Sequence, residues 1–162
     1  MSKTEPIPFD MSHHVRDTCL CLHVQRTARA LARRFDDAFR PLGLTSGQFS
    51  LLVSLNRPES ASMSSVASLL VVDRTTLTAA LKPLKRRGLV KVSVDAGDRR
   101  SRLLRLTAKG RGLLARAVPI WEETHAALEK WLAKSDPQRL RRDLHVLSGS
   151  PAMARTALAE RL

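Results

Sequence analysis

The sequence predicts a mainly α-helical chain interrupted by one small β-hairpin. Three observations carry that expectation. Apolar residues recur at three- and four-residue steps over most of the 162 residues. Residues suited to helix N-caps (Thr45, Ser62 or Ser64, Asp73, Thr107 and Asp136) stand just ahead of such runs. Only between residues 90 and 106 does the period fall to two. Apolar residues make up 43% of the chain, and a chain of this length buries about 70% of the surface its unfolded form exposes, so the material for one core is present.

From Ser12 to Leu42, the residues Leu20, Val24, Ala28, Leu31, Phe35, Ala38 and Leu42 form one stripe, with Arg26, Arg29, Arg33, Arg34 and Arg40 between them. That pattern predicts a single amphipathic helix of more than about seven turns, ended by Pro41 and Gly43. A small core cannot cover so long a stripe, so part of it is expected to meet a second subunit. Thr45 and Gln48 then have capping-box spacing ahead of Phe49, Leu51, Leu52, Val53 and Leu55, and this helix stops before Pro58. Ser62 or Ser64 caps a short helix through Val66, Ala67, Leu69 and Leu70.

Asp73 caps the next helix, from about Arg74 to Arg87, with Leu77, Leu81 and Leu84 facing inward. Pro83 removes the bond to the Ala79 carbonyl and should bend this helix; Gly88 ends it. Val90, Val92 and Val94 alternate with polar residues, AGDRRS (residues 96–101) forms a loop, and Leu104 and Leu106 lie on the return strand. Thr107 caps another long helix, with Leu114, Ala117, Trp121, His125, Leu128 and Leu132 on one stripe and a kink expected at Pro119. Asp136-Pro137 opens a helix reaching about Leu147, and a last short amphipathic segment follows Ser150-Pro151. The expected organisation is one continuous domain: an arm and long dimerisation helix (1–42), a central unit (43–110) and C-terminal dimerisation helices (111–162).

Charge singles out the central unit. The formal net charge is +13, and residues 73–116 hold 13 basic against 3 acidic side chains, whereas the flanking segments are nearly balanced. A surface shaped for solubility has no reason to confine its imbalance in this way. A membrane-surface helix would be interrupted by the turn and strand signals. The longest apolar run, Leu69 to Val72, is far short of the roughly 20 residues that cross a bilayer, so no membrane partner is expected. The opening MSKTEPIPFD lacks a secretory pattern, and two cysteines one residue apart make no disulfide framework; both favour a cytoplasmic protein. A polyanion is the expected partner.

Two short helices joined by a tight turn and followed at once by a basic hairpin read as a winged helix-turn-helix that binds double-stranded DNA. The outward residues Arg74, Thr75, Thr76 and Thr78 at the start of the second helix would meet base edges, and Lys82, Lys85 and Arg86 the phosphates. At the hairpin tip, Arg99 and Arg100 would enter a minor groove. Asp98 repels phosphate, so we expect it to pair with Arg100 or Arg102 and fix the tip. Taken singly, threonines at a helix start are caps and an Arg-Arg pair in a turn is solvated; their conjunction at the steepest charge gradient points to DNA. The chain has no Tyr, and Phe35, Phe39, Phe49, Trp121 and Trp131 lie in helices, so stacking platforms for single strands or RNA are not evident.

The stretches LGLTSGQFSLL (42–52), VDRTTLTAALKPLKRRGLV (72–90) and DRRSRLLRLTAKG (98–110) resemble, in order and spacing, the MarR (multiple antibiotic resistance regulator) family of bacterial winged-helix transcription factors. The resemblance implies a homodimer built by the N- and C-terminal helices, with two winged units reading a palindromic operator. Asp98 and Arg100 match the paired wing residues, and Thr75, Thr76, Thr78 and Lys82 fall on the recognition helix; Pro83 departs from an ideal helix. It also implies a repressor released by a small aromatic or lipophilic ligand held between the dimer helices and the winged unit, where Arg16, Arg26, Phe39 and Trp121 are candidates.

By the same resemblance, Cys21 matches the reactive cysteine of the organic hydroperoxide resistance branch. That branch surrounds its thiol with tyrosines; this chain has none, and Phe35, Ser46 and Gln25 occupy the corresponding places, so the matching environment is missing. A redox regulator acting through Cys21, with Cys19 free to bridge to a partner chain, stays open as an alternative, as does a nonspecific nucleoid or RNA-binding protein. Cys19 and Cys21 lie about 200° apart on a continuous helix, and Cys19 with His23 lacks a third ligand, so no metal or cofactor is expected. His13, His14 and His145 read as solvated or structural, and His125 as a core imidazole. The chain has no G-x-S-x-G, no H-E-x-x-H and no phosphate-cradling glycine loop, so enzymatic chemistry is not expected.

Overall fold

The computed structural model describes residues 7–132 and 135–149. In chain order these form α1 (Phe9–Thr18), α2 (Leu20–Phe39), a 3-10 turn (Arg40–Leu42), α3 (Ser46–Ser54), β1 (Ala61–Ser62), α4 (Met63–Leu70), α5 (Arg74–Arg86), β2 (Val90–Val94), β3 (Arg102–Leu106), α6 (Ala108–Trp131) and α7 (Pro137–Leu147). The fold is mainly helical with a small antiparallel wing sheet. The segment expected after Ser150-Pro151 lies outside the described residues.

The single N-terminal helix expected from Ser12 to Leu42 is two helices. Cys19, at φ −71° and ψ 105°, leaves the helical region and serves as the N-cap of α2. Local side chains bond on both sides of this break, and two of them, Cys19 and His23, take up groups that it frees. The Thr18 hydroxyl donates to the His14 carbonyl at 2.7 Å, the Cys19 sulfur accepts the Leu22 N–H at 3.5 Å, and His23 Nε2 lies 3.1 Å from the Asp17 carbonyl oxygen. Such side-chain bonds compete with the helical ladder, and no proline or glycine is needed for the break.

The other helix starts follow their caps. Thr45 and Gln48 close a full capping box on α3, and Ser62, rather than Ser64, caps α4. Thr107 accepts the Gly110 N–H, and Asp136 accepts those of Gln138 and Arg139. Both α5 and α6 continue past their internal prolines, Pro83 and Pro119. Between α4 and α5 the chain turns at Val71, which stands in the left-handed region at φ 53°, and the Val72 N–H returns to the Ala67 carbonyl. Gly88, at φ 69°, ends α5 as its position suggests.

The sheet has the order β1-β3-β2, with Val90 opposite Leu106, Val92 opposite Leu104 and Ala61 also opposite Leu104. The third strand, β1, is too short for a periodicity to announce it, and its Ser62 is also the α4 cap. The core gathers Phe39, Leu51, Leu52, Leu55, Val66, Leu77, Leu84, Leu89 and Leu104, each under 2% exposed, so α5 and the wing are seated on one packed body. Phe39 stacks on Phe35 and Phe49 at 5.9 and 4.6 Å. By contrast, α1 and α7 bury no residue and α2 buries only Phe39. Phe9, Val15, Leu20, Leu31, Leu144 and Trp131 are left exposed on those helices and the end of α6.

Candidate nucleic-acid interface

Helix α5 separates its two faces by the 3.6-residue period. Leu77, Leu81 and Leu84 are buried, while Arg74, Thr75, Thr76, Thr78, Lys82, Lys85 and Arg86 are exposed. Asp73 anchors the start: one carboxylate oxygen accepts the Thr76 N–H at 2.7 Å and the other the Thr76 hydroxyl at 2.8 Å. Thr78 donates its hydroxyl to the Arg74 carbonyl at 2.7 Å. Two of the three threonine hydroxyls therefore have their proton committed to the helix itself and face outward as acceptors and methyls, whereas Thr75 makes no side-chain bond among the described residues.

The Thr76 backbone N–H, and then the Thr76 hydroxyl, hold the Asp73 carboxyl below the usual aspartate range. The cap therefore contributes in full above the ordinary value of about 3.9 and is lost as the pH falls through the lowered one. Asp73→Ala is expected to lower the melting temperature and weaken duplex binding at pH 7, with Asp73→Asn, which keeps an acceptor, losing less. Equal melting and binding of wild type and Asp73→Ala would contradict this role.

At the wing tip the expected pairing of Asp98 with a guanidinium is replaced by a backbone turn. Asp98 accepts the Arg100 N–H on its carboxylate at 2.9 Å and the Ser101 N–H on its carbonyl at 2.8 Å. A short acid side chain reaches the backbone two residues on more readily than a long arginine can fold back to it. Arg102 instead holds the tip from outside, donating Nη1 to the carbonyls of Arg99 and Ser101 at 2.9 and 3.2 Å. The guanidinium groups of Arg99 and Arg100 have no partner among the described residues and are exposed. Asp98 and Arg102 thus order the tip, and Arg99 and Arg100 are its free cations.

Sequence reasoning missed that other cations of this segment are held internally. Arg87 reaches the carbonyls of Leu42 and Gly43, Arg105 that of Pro58 and Arg111 that of Leu106. Arg87 and Arg105 find partners more than 40 residues away, and no local pattern signals them.

The four candidate effector residues have different surroundings. Arg16 pairs with Asp17 on α1 at 2.6 Å. Arg26 borders an open surface groove of about 510 Å³ with His23, Arg29 and Arg33 on α2. Phe39 is fully buried in the core, so it is no wall open to a ligand, and Trp121 stacks on His125 at 4.8 Å. His125 is not a core imidazole: it is half-buried, with Nδ1 3.9 Å from Glu129, which also accepts Arg141 at 2.8 Å. Trp131 is 70% exposed, with the Arg34 guanidinium 4.4 Å over its ring. Cys19 is half-buried and Cys21 exposed, with Gln25 Nε2 donating to the Cys21 sulfur at 3.1 Å. Because Cys19 lies at the helix break, the 200° separation of a continuous helix does not describe this pair. No described helix is long and apolar enough to cross a membrane.

Residues 44–101 match the model of the MarR family. The transcriptional regulator MosR of M. tuberculosis, crystallised in complex with DNA, is 40% identical, with a TM-score of 0.72 over 89% of this chain and 99% of that one. The regulator BpsR of Bordetella bronchiseptica, whose DNA binding is regulated by 6-hydroxynicotinic acid, is 25% identical, with a TM-score of 0.67 over 88% of this chain and 94% of that one. The HTH-type transcriptional regulator TtmR of Methylorubrum extorquens is 36% identical over 97 residues, 60% of this chain, which spans half the length of that relative. With the winged helix-turn-helix geometry, a matching family model over its central part and a 40% identical relative matched almost end to end, the chain belongs to the MarR family of transcriptional regulators.

Proposed function

We propose that the protein is a homodimeric, sequence-specific regulator of transcription that binds a palindromic duplex and represses until a small aromatic or lipophilic anion releases it. The observation that carries this reading is the joint exposure of Arg74, Thr75, Lys82, Lys85 and Arg86 on α5 and of the unpartnered Arg99 and Arg100 on the wing. Thr76 and Thr78 contribute acceptors and methyls, and Asp98 and Arg102 order the tip. The dimer is supported by α1 and α7, which bury none of their residues, and by α2, which buries only Phe39 and leaves Leu20, Val24 and Leu31 exposed. A released state follows if a ligand favours a dimer whose recognition helices no longer match half-sites about 34–36 Å apart. The effector part of the reading draws on the regulation of BpsR by an aromatic acid.

Incubating the protein with fragments of its own genome and sequencing what it retains tests the proposal. Recovery of fragments sharing an inverted repeat is the expected result; a random sample of the genome would contradict it.

A second reading, redox control through Cys21, is favoured by the exposure of its thiol and by the Gln25 donor beside it. It predicts that peroxide weakens duplex binding by the wild type and not by Cys21→Ser. Equal responses of the two would remove it.

A further inference from the structure

The corner between α2 and α3 is pinned from two sides. Asp36 of α2 accepts the Ser46 backbone N–H of α3 at 2.6 Å. From the other side, Arg87, the residue directly after α5, donates Nη1 to the Gly43 carbonyl at 2.6 Å and Nη2 to the Leu42 carbonyl at 3.1 Å. Gly43 turns the chain in the left-handed region, at φ 60°, with its N–H bonded to the Arg40 carbonyl. The corner thereby presents two successive carbonyls to one side, and the planar fork of a guanidinium matches such a pair. Arg87 is half-buried where Lys85 and Arg86 beside it are exposed. Its own N–H donates to the Pro83 carbonyl at 3.0 Å, so its backbone continues the last turn of α5.

We propose that Arg87 is a positioning residue for DNA reading, whose guanidinium fork locks the end of the recognition helix α5 to the end of the dimerisation helix α2. The lock lies on a short covalent and hydrogen-bonded path from α2 to α5. In a dimer held through α2, it fixes how far apart and at what angle the two α5 helices stand. Arg87 then governs tolerance of half-site spacing without touching a base. This rests on the DNA-reading assignment above.

The test uses the full chain, a palindromic duplex selected by the protein from random sequence, the same duplex with one base pair inserted or removed at its centre, and a scrambled duplex. One base pair moves the half-sites by about 3.4 Å and turns them by about 35°, and the wild type is expected to disfavour the altered spacings by about tenfold or more. Arg87→Ala should bind the palindrome about tenfold more weakly and discriminate spacing by about twofold or less, with scrambled-duplex affinity and salt slope nearly unchanged because no phosphate contact is lost. Arg87→Lys keeps the charge and lacks the fork, so it should also lose spacing discrimination; it is the informative variant if Arg87→Ala melts too low to assay. The proposal is overturned if Arg87→Lys matches the wild type while Arg87→Ala weakens palindrome and scrambled duplex alike with a lower salt slope, which is the behaviour of a phosphate contact. It is also overturned if Arg87→Ala or Arg87→Lys keeps the wild-type spacing preference. A wild type indifferent to both sequence and spacing would instead remove the DNA-reading assignment, and the proposal with it.

Discussion

Arg100→Ala is expected to weaken binding to the operator by about tenfold to a hundredfold while leaving the helical content and melting temperature unchanged, since a single well-placed arginine contact with DNA is worth roughly 1–3 kcal/mol. The expectation follows from how the wing tip is built. The Asp98 carboxylate holds the backbone N–H of Arg100, and Arg102 holds the carbonyls of Arg99 and Ser101. None of these bonds uses the Arg100 guanidinium, so its removal leaves the turn intact. The salt dependence of binding should fall by about one unit of slope if the guanidinium also displaces counterions. Anisotropy titrations at several salt concentrations check this, and an unchanged curve would contradict the role of the wing. Asp98→Ala removes no cation, and should weaken binding through disorder of the tip, with the salt slope retained.

Gly110→Ala is expected to destabilise the fold by about 3 kcal/mol, at the upper end of what overpacking costs. An added Cβ would sit 2.2 Å from the Leu89 carbonyl oxygen and 2.9 Å from Leu106 Cδ1. The first of these is backbone and cannot swing aside. It lies where the wing meets α6: the Leu89 carbonyl accepts the Thr107 N–H, and the Thr107 hydroxyl accepts the Gly110 N–H at 3.0 Å. Relief requires moving β2, α6 or both, which disturbs the seat of the wing. For a chain of this size a loss of that magnitude lowers the melting temperature by about 6–12 °C. A thermal melt within a degree or two of the wild type would contradict a seat this tight at Gly110.

What was legible in the sequence was local. Thr45 with Gln48, Asp73, Thr107 and Asp136-Pro137 announce helix starts because a cap and the amides it satisfies lie within three residues. The buried face of α5 and the alternation along β2 are likewise set by short periods. The break at Cys19 was not legible, since the stripe of apolar residues runs through it and only side-chain bonds of Cys19 and His23 take up the Leu22 N–H and the Asp17 carbonyl that the ladder leaves. Val71 conceals its turn because a β-branched residue is an unusual choice for the left-handed region. Within the site, the free cations could be told from the structural ones only in three dimensions. Arg87 finds its partners 44 and 45 residues away, and Asp98 prefers an amide to the guanidinium that charge alone suggests.

The most direct test of sequence-specific reading by the α5 and wing pair is a competition assay, at physiological salt, between a duplex enriched from the genome and its scrambled counterpart. A preference of at least about 10³ for the enriched duplex is expected. Comparable affinity for the two would contradict it.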